Sequence, residues 1–289
     1  MLVALIKSAR PHQWVKNLFV AAPLVFARRI DDPTAIGHAA LAVAAFCLLS
    51  SAVYLINDVV DVAKDRVHPV KRHRPIASGQ VPLSLARVLA PAIALAGLAM
   101  AAWLGPLFVA ASAGYLALNL AYSFGLKKIA FVDVGCISVG FLLRVLGGSV
   151  AIPVQASRWL LVCTFLLSAL LGFGKRTHEL RVSGQGGSAQ RDVLGKYALP
   201  TLQRLLAILG VLTCVTYLAY TRSAHAHTFF GARPLVLTVP FVVFGIFRFT
   251  WITSRKLDAE SPTDSMLRDW PFVLNLLLYA AAILLLVSR

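Results

Sequence analysis

The chain has 289 residues, of which 58% are hydrophobic and 14% charged, with a mean hydropathy of +0.76. Soluble domains carry about 25% charged residues, so a soluble globule is excluded, and the continuous, non-alternating apolar runs give no sign of a β-barrel. The formal net charge of +16 is confined to clusters between apolar runs; without a basic tail or polar basic helix it argues for a membrane charge bias and against nucleic acid.

In chain order, "MLVALIKSARPHQWVKN" has too short an apolar run before its charges, and no small-residue cleavage site, for a cleavable signal peptide. Residues 1–14 read as an amphipathic surface piece with Trp14 at headgroup depth. Apolar segments follow at 17–30, 35–57, 83–103, 106–124, 133–152, 157–174, 199–220, 234–252 and 270–287. A crossing needs about 20 apolar residues, so these predict nine spans in a single all-α membrane domain over 1–289; the first is short and carries Pro23. Cys47, Cys136, Cys163 and Cys214 all fall inside apolar segments and read as small buried hydrophobes.

Orientation follows from Lys and Arg. With the N-terminus cytoplasmic, 21 lie inside and 6 outside, and Arg144 is left within a span. That split satisfies the positive-inside rule; the expected location is the inner (cytoplasmic) membrane. Of the 12 acids, only Asp31 and Asp32 fall outside. Topogenic selection acts weakly on acids, so their crowding on the cytoplasmic side points to a functional surface there.

The second span ends in Asn57, Asp58, Asp61 and Asp65. Their spacing puts them on one stripe if the helix continues past Asp58. Carboxylates so close repel unless a cation lies between them, and an all-oxygen set favours Mg²⁺. The alternative is a solvated helix end. Arg66, Lys71, Arg72 and Arg74 follow at once with His68 and His73, and such a run suits a Mg²⁺–diphosphate ligand; by itself it would also suit a purely topogenic loop touching anionic lipid.

Tyr122 and Lys127 close the fourth span and Asp133 opens the fifth, either as a helix cap or as a second metal-facing carboxylate. Arg144, eleven residues further, should face the bundle interior with a purpose or a partner. The sixth span ends in Lys175, Arg176 and Glu179, where a local salt bridge is the plainest reading. Asp264 and Asp269 read as caps or loop contacts. Arg10, Lys16 and Asn17 mark the cytoplasmic start of the first span.

"NDVVDVAKD" resembles the NDxxDxxxD motif of the UbiA superfamily of intramembrane prenyltransferases, and "RPIASG" resembles the segment that follows it there. The resemblance implies nine transmembrane helices around a central cavity, with Asp-rich cytoplasmic loops that bind Mg²⁺ and diphosphate. "RPHQWVKN", "DRVHPVKRHRPIASG", "YSFGLKK", "GKRTHEL" and "SPTDSMLRD" are similar to its decaprenyl-phosphate phosphoribosyltransferase branch, which joins phosphoribosyl diphosphate (PRPP) to a polyprenyl phosphate. Aromatic prenyltransferases carry a second DxxxD motif; here Asp133 is followed by Ile137 four residues on, a departure that speaks against a conventional second-metal site.

By this resemblance Asp58, Asp61 and Asp65 hold Mg²⁺ on the diphosphate with Asn57 assisting. Arg66, Lys127 and Tyr122 stabilise the leaving group, while Lys71, Arg72 and Arg74 clamp phosphate. Lys175, Arg176 or Lys16 holds the lipid phosphate, and Asn17, Asp133, Arg144 and Glu179 complete the substrate site. The implied partners are PRPP, polyprenyl phosphate and the bilayer, with room for a homo-oligomer. Two rivals stay open: a prenyltransferase moving a polyprenyl group from its diphosphate to an aromatic acceptor, and a transporter of an anionic metabolite. A transporter would place its polar residues near the midplane, whereas here most lie at one face.

Overall fold

The structure, a computed structural model, describes residues 1–183, 193–230, 235–255, 265–266 and 268–287. Every regular element among the described residues is helical. Seven helical stretches are long and apolar enough to cross a membrane: Pro33–Val60, Leu83–Trp103, Pro106–Phe124, Val132–Ala151, Arg158–Arg181, Leu199–Thr221 and Leu235–Ser254. Trp270–Leu286 is a shorter apolar helix. The chain is a multi-pass membrane protein.

Two compact units divide it, Met1–Lys127 with Gly140–Ala156 and Lys128–Val139 with Ser157–Arg289. The first contains α1 (Leu2–Ala9), α2 (Ala22–Phe26), α3 (Pro33–Val60), α4 (Val62–Val67), α5 (Leu83–Trp103), α6 (Pro106–Phe124) and the later part of α7 (Val132–Ala151). The second contains the start of α7 with α8 (Arg158–Ser183), α9 (Leu199–Thr221), α10 (Ala224–Phe230), α11 (Val239–Arg255) and α12 (Trp270–Val287).

In the first unit α3 is the axis. Asp32 caps it, its carboxylate accepting from Thr34 N at 2.9 Å and Ala35 N at 3.1 Å, and Pro33 supplies the preset φ of the first helical position. The ring of Phe46 lies edge-on to Phe108 at 5.8 Å, and around the pair a core forms from Val20, Ala42, Ala45, Leu49, Val53, Ala101, Tyr115 and Ala151. A second cluster joins Leu55 to Ile76, Val81, Ala86 and Ala90, with Ala4 and Leu5 packed against it. Ile76 thereby anchors the basic loop against the end of α3.

The expected first span at 17–30 takes a different form. Residues Pro11–Ala21 wind as a 3₁₀ helix, followed by the short α2. Such long 3₁₀ runs are uncommon, and three residues per turn eclipses positions three apart. Trp14, Asn17 and Val20 therefore share one face. Trp14 Nε1 donates to Ser51 Oγ at 3.1 Å, Asn17 Nδ2 donates to Ser50 Oγ at 3.1 Å, and Val20 is fully buried. Opposite Val20, Gly148 leaves the needed space: a Cβ there would stand 1.8 Å from the Val20 carbonyl oxygen. The tighter winding is the one that brings all three residues onto α3 and α7.

Candidate functional site

Within the first unit the acidic motif divides where α3 ends. The helix continues past Asp58 to Val60, and Asp61 then adopts φ −91°, ψ 4° before α4 begins. The stripe that a continuous helix would give is interrupted at Asp61, so Asp58 and Asp65 lie on different helices. Both are buried, at 3% exposure each, and Arg74 Nη1 bridges them at 3.1 Å to Asp58 Oδ1 and 2.7 Å to Asp65 Oδ2. Asp61 turns to Lys127, whose Nζ lies 2.8 and 2.7 Å from its two oxygens and 3.3 Å from Asn57 Oδ1.

Arg10 completes the cluster. Its Nη2 donates to Asp58 Oδ1 at 2.5 Å, and its guanidinium lies 4.9 Å over the ring of Tyr54. The residue has φ 54°, a left-handed conformation rare for a side chain of this size. The cytoplasmic starts and ends inferred from sequence for the first, second and fourth spans thus converge through side-chain contacts. Three cations meet three carboxylates.

Among the described residues no three His, Cys, Asp or Glu side chains are grouped closely enough to hold a metal. Asp58 and Asp65 share Arg74, while Asp61 faces Lys127. Such carboxylates fit Mg²⁺, which binds through one or two carboxylates plus substrate phosphates and keeps several waters.

The basic loop is ordered by its own backbone. His68 Nδ1 accepts from the N–H groups of Val70 and Lys71, each at 3.2 Å. Burial first, then the Lys71 charge, hold its pKa below the ordinary value. Lys71 is half-buried, Arg66 and Arg72 are exposed, and Arg72 Nε reaches His73 Nε2 at 3.3 Å. Gly79, at φ 82°, supplies the turn that returns the chain to α5. Tyr122 is half-buried near the end of α6, and Lys16 is half-buried on the 3₁₀ segment.

Arg144 and Asn17 form a separate buried network in the same unit. Arg144 Nε donates to Asn17 Oδ1 at 2.9 Å, Nη2 to Tyr115 OH at 3.0 Å and Nη1 to the Gly140 carbonyl at 3.1 Å. Its guanidinium also lies 4.7 Å over the Tyr115 ring and 5.1 Å over Phe141. Partners of this intramembrane charge are therefore amide, phenol and ring faces. Both side chains secure the N-terminal segment, and neither reaches the carboxylates.

In the second unit Asp133 is fully buried. Arg176 Nε donates to its Oδ2 at 2.6 Å and Tyr197 OH to its Oδ1 at 2.5 Å. Its two oxygens accept from an arginine and a phenol. Arg176 also donates through Nη1 to Glu179, the local pair expected from their spacing. Tyr197 OH accepts the Phe131 N–H at 2.7 Å, fastening a residue at φ 68°, and burial with the Asp133 contact keeps its phenol protonated far above the usual range. Lys175 is half-buried beside Arg176 on α8. Asp269 accepts both Arg248 donors at 2.9 Å and the Phe272 N–H at 3.2 Å, making it the cap and contact expected; Asp264 lies outside the described residues. The sequence marks Arg10 only as a cation at the start of the first span and gives Tyr54, Tyr115 and Tyr197 no sign of a role. Nothing in their local sequence distinguishes these tyrosines from lipid-facing ones.

The fold has known counterparts. The fold is that of a UbiA homolog from Archaeoglobus fulgidus solved with GPP and Mg²⁺: TM-score 0.72 and 20% identity, over 99% of this chain and all of the other. Residues 18–176 match the UbiA prenyltransferase family. The chain belongs to that family. It is 36% identical over 275 residues to the decaprenyl-phosphate phosphoribosyltransferase of Mycobacterium tuberculosis, covering 93% of this chain and 89% of the relative. Its counterpart from Mycolicibacterium smegmatis is 38% identical over 228 residues, 77% of this chain and 72% of the relative.

Proposed function

We propose that the protein transfers the 5-phosphoribosyl group of PRPP to a polyprenyl phosphate and releases diphosphate, with Mg²⁺, at the cytoplasmic face of the inner membrane. The observation that carries this reading is the buried Asp58–Arg74–Asp65 bridge with Arg10 and Lys127 beside it. It supplies oxygen ligands and phosphate-binding cations at one place. The likeness to two decaprenyl-phosphate phosphoribosyltransferases, over 93% and 77% of this chain, supports the choice of donor.

In this reaction a phosphate oxygen of the lipid attacks C1 of the ribose, and the C1–O bond to diphosphate breaks with its electron pair leaving on the diphosphate. The nucleophile is already ionised, so no general base is required. Asp58, Asp61 and Asp65 would hold Mg²⁺, which would neutralise charge on the departing diphosphate. Arg74, Lys127, Lys71 and Arg72 hold its oxygens, a preorganised electrostatic stabilisation of the charge that develops. Lys16 would orient the lipid phosphate. Beyond the seven membrane-length helices, Trp270–Leu286 and the segment from Pro11 to Phe26 would complete nine crossings, with the N-terminus cytoplasmic.

The test is a transfer assay on purified protein in detergent, with radiolabelled PRPP, Mg²⁺ and a polyprenyl phosphate. A labelled, metal-dependent lipid product that is lost in Asp61→Asn supports the reading. Absence of that product, with transfer of a polyprenyl group from its diphosphate to an aromatic acceptor, would replace it by prenyl transfer, as the GPP bound to the archaeal homolog suggests.

A further inference from the structure

We propose that Arg10 is an exchangeable counter-ion: it neutralises Asp58 until metal and diphosphate arrive together, then moves onto phosphate oxygen. The inference rests on the reading of this cluster as a metal–diphosphate site, and it assigns a role to a residue outside the acidic motif and its basic loop.

Charge is the first ground. Arg10, Arg74 and Lys127 balance Asp58, Asp61 and Asp65, and each carboxylate oxygen named above carries a cation within 3.1 Å. A divalent cation entering alone would have to displace Arg10 or Arg74 and leave a positive excess beside two carboxylates of 3% exposure. Diphosphate alone would meet cations already held by carboxylates. Arriving together, the metal takes the carboxylate oxygens and the displaced cations take phosphate oxygens, so every charge keeps a partner.

Geometry is the second ground. Of the two arginines on Asp58, Arg74 is also tied to Asp65, whereas Arg10 makes its only ion pair among the described residues with Asp58. Its guanidinium rests over Tyr54 at 4.9 Å, a face that keeps a cation in place when the carboxylate is given up. Arg10 is 22% exposed, so its head has room to turn. Its backbone is fixed where side chains are rarely placed, at φ 54°, by stitching on either side: Ser51 Oγ donates to the Ala9 carbonyl at 3.0 Å and Trp14 Nε1 to the same Ser51 oxygen at 3.1 Å. A strained conformation so firmly held directs the side chain at the site.

The consequence is reciprocal coupling: diphosphate tightens metal binding, and metal tightens diphosphate binding by the same factor. The experiment measures Mn²⁺ binding to the full chain in detergent by electron paramagnetic resonance, with and without inorganic diphosphate. Wild type should bind Mn²⁺ weakly alone and about tenfold more tightly with diphosphate. Arg10→Ala should bind Mn²⁺ alone about fivefold more tightly than wild type, because a competitor has gone, and should lose most of the tightening by diphosphate. A residue that serves only the fold would weaken Mn²⁺ binding or leave it unchanged.

Arg10→Lys, which keeps the charge, should restore the wild-type pattern. If Arg10→Ala does not purify as monodisperse protein, Arg10→Gln, with a donor but no charge, reads the same quantity. Unaltered Mn²⁺ affinity in the neutral variants, with coupling intact, overturns the exchange and leaves the phosphoribosyl reading standing. Coupling that behaves as described in a protein unable to consume PRPP supports the exchange and overturns that reading. Wild type that binds no Mn²⁺ in the presence of diphosphate overturns both.

Discussion

Asp58 and Asp65 belong to different helices and are joined by a single nitrogen, Nη1 of Arg74, at 3.1 and 2.7 Å. Removing that nitrogen leaves two buried carboxylates facing each other, with Arg10 on one of them. Loss of one partner from a buried ion pair is strongly destabilising, and Arg74 is 28% exposed, which moderates the effect. Arg74→Ala should therefore lower stability by about 2 kcal/mol, seen as an earlier thermal midpoint in detergent. Mn²⁺ should recover part of the loss by occupying the place between the carboxylates; a midpoint indifferent to Mn²⁺ would contradict the pairing of Asp58 and Asp65 as ligands.

Tyr197 OH holds Asp133 and the Phe131 backbone at once. Tyr197→Phe removes a hydrogen bond to a charged group and should cost about 2 kcal/mol. Asp133→Asn breaks the buried pair with Arg176 and should cost about 3–5 kcal/mol. Both act on one network, so the double variant should lose less than the sum. Thermal unfolding of the three proteins measures this, and strict additivity would show that the phenol and the carboxylate act independently.

Gly148 faces the Val20 carbonyl so closely that an added Cβ would stand 1.8 Å from its oxygen. Backbone has to yield on one side or the other. Gly148→Ala should cost about 3 kcal/mol or more and sharply reduce the yield of monodisperse protein. Gly37, with open space around a Cβ, provides the contrast: Gly37→Ala should leave yield and thermal midpoint unchanged or slightly raised.

His68 accepts two backbone N–H groups through Nδ1, an arrangement that only the neutral ring can make. Its folded pKa is depressed below 6.5. Stability from this loop is thus fully present above that unfolded value and is lost as pH falls through the lower folded value. The thermal midpoint should drop on acidification from neutral pH to about 5, and His68→Gln should flatten that drop. An identical pH profile in the variant would rule out the ring as its source.

How much of this could be read from sequence depends on how far apart the partners lie in the chain. Membrane-length helices were legible because hydropathy alone defines them, and Arg176 with Glu179 because three residues is one helical turn. The stripe of acids was legible as a motif, but its division at Asp61 was not. "DVAKD" has nothing that stops a helix; its division accompanies Arg74 and Lys127, the latter 66 residues away. Tyr197 lies 64 residues from Asp133, and Arg144 lies 127 from Asn17, so neither network leaves a local trace. The first expected span had the right hydropathy, yet hydropathy does not report winding, and the period-three face of Trp14, Asn17 and Val20 emerges only against Ser51, Ser50 and Gly148.

That winding also sets a length. Eleven residues at about 2.0 Å rise cover about 22 Å, where an α-helix would cover about 16 Å. The segment begins directly after Arg10 and is pinned in its interior by Asn17 on Ser50 and Arg144. Rewound as an α-helix from that pin, it would draw Arg10 back along α3, short of Asp58. The N-terminal segment is therefore a spacer of fixed reach, and its unusual pitch is what delivers a charge to the end of a transmembrane helix from an anchor buried within the membrane.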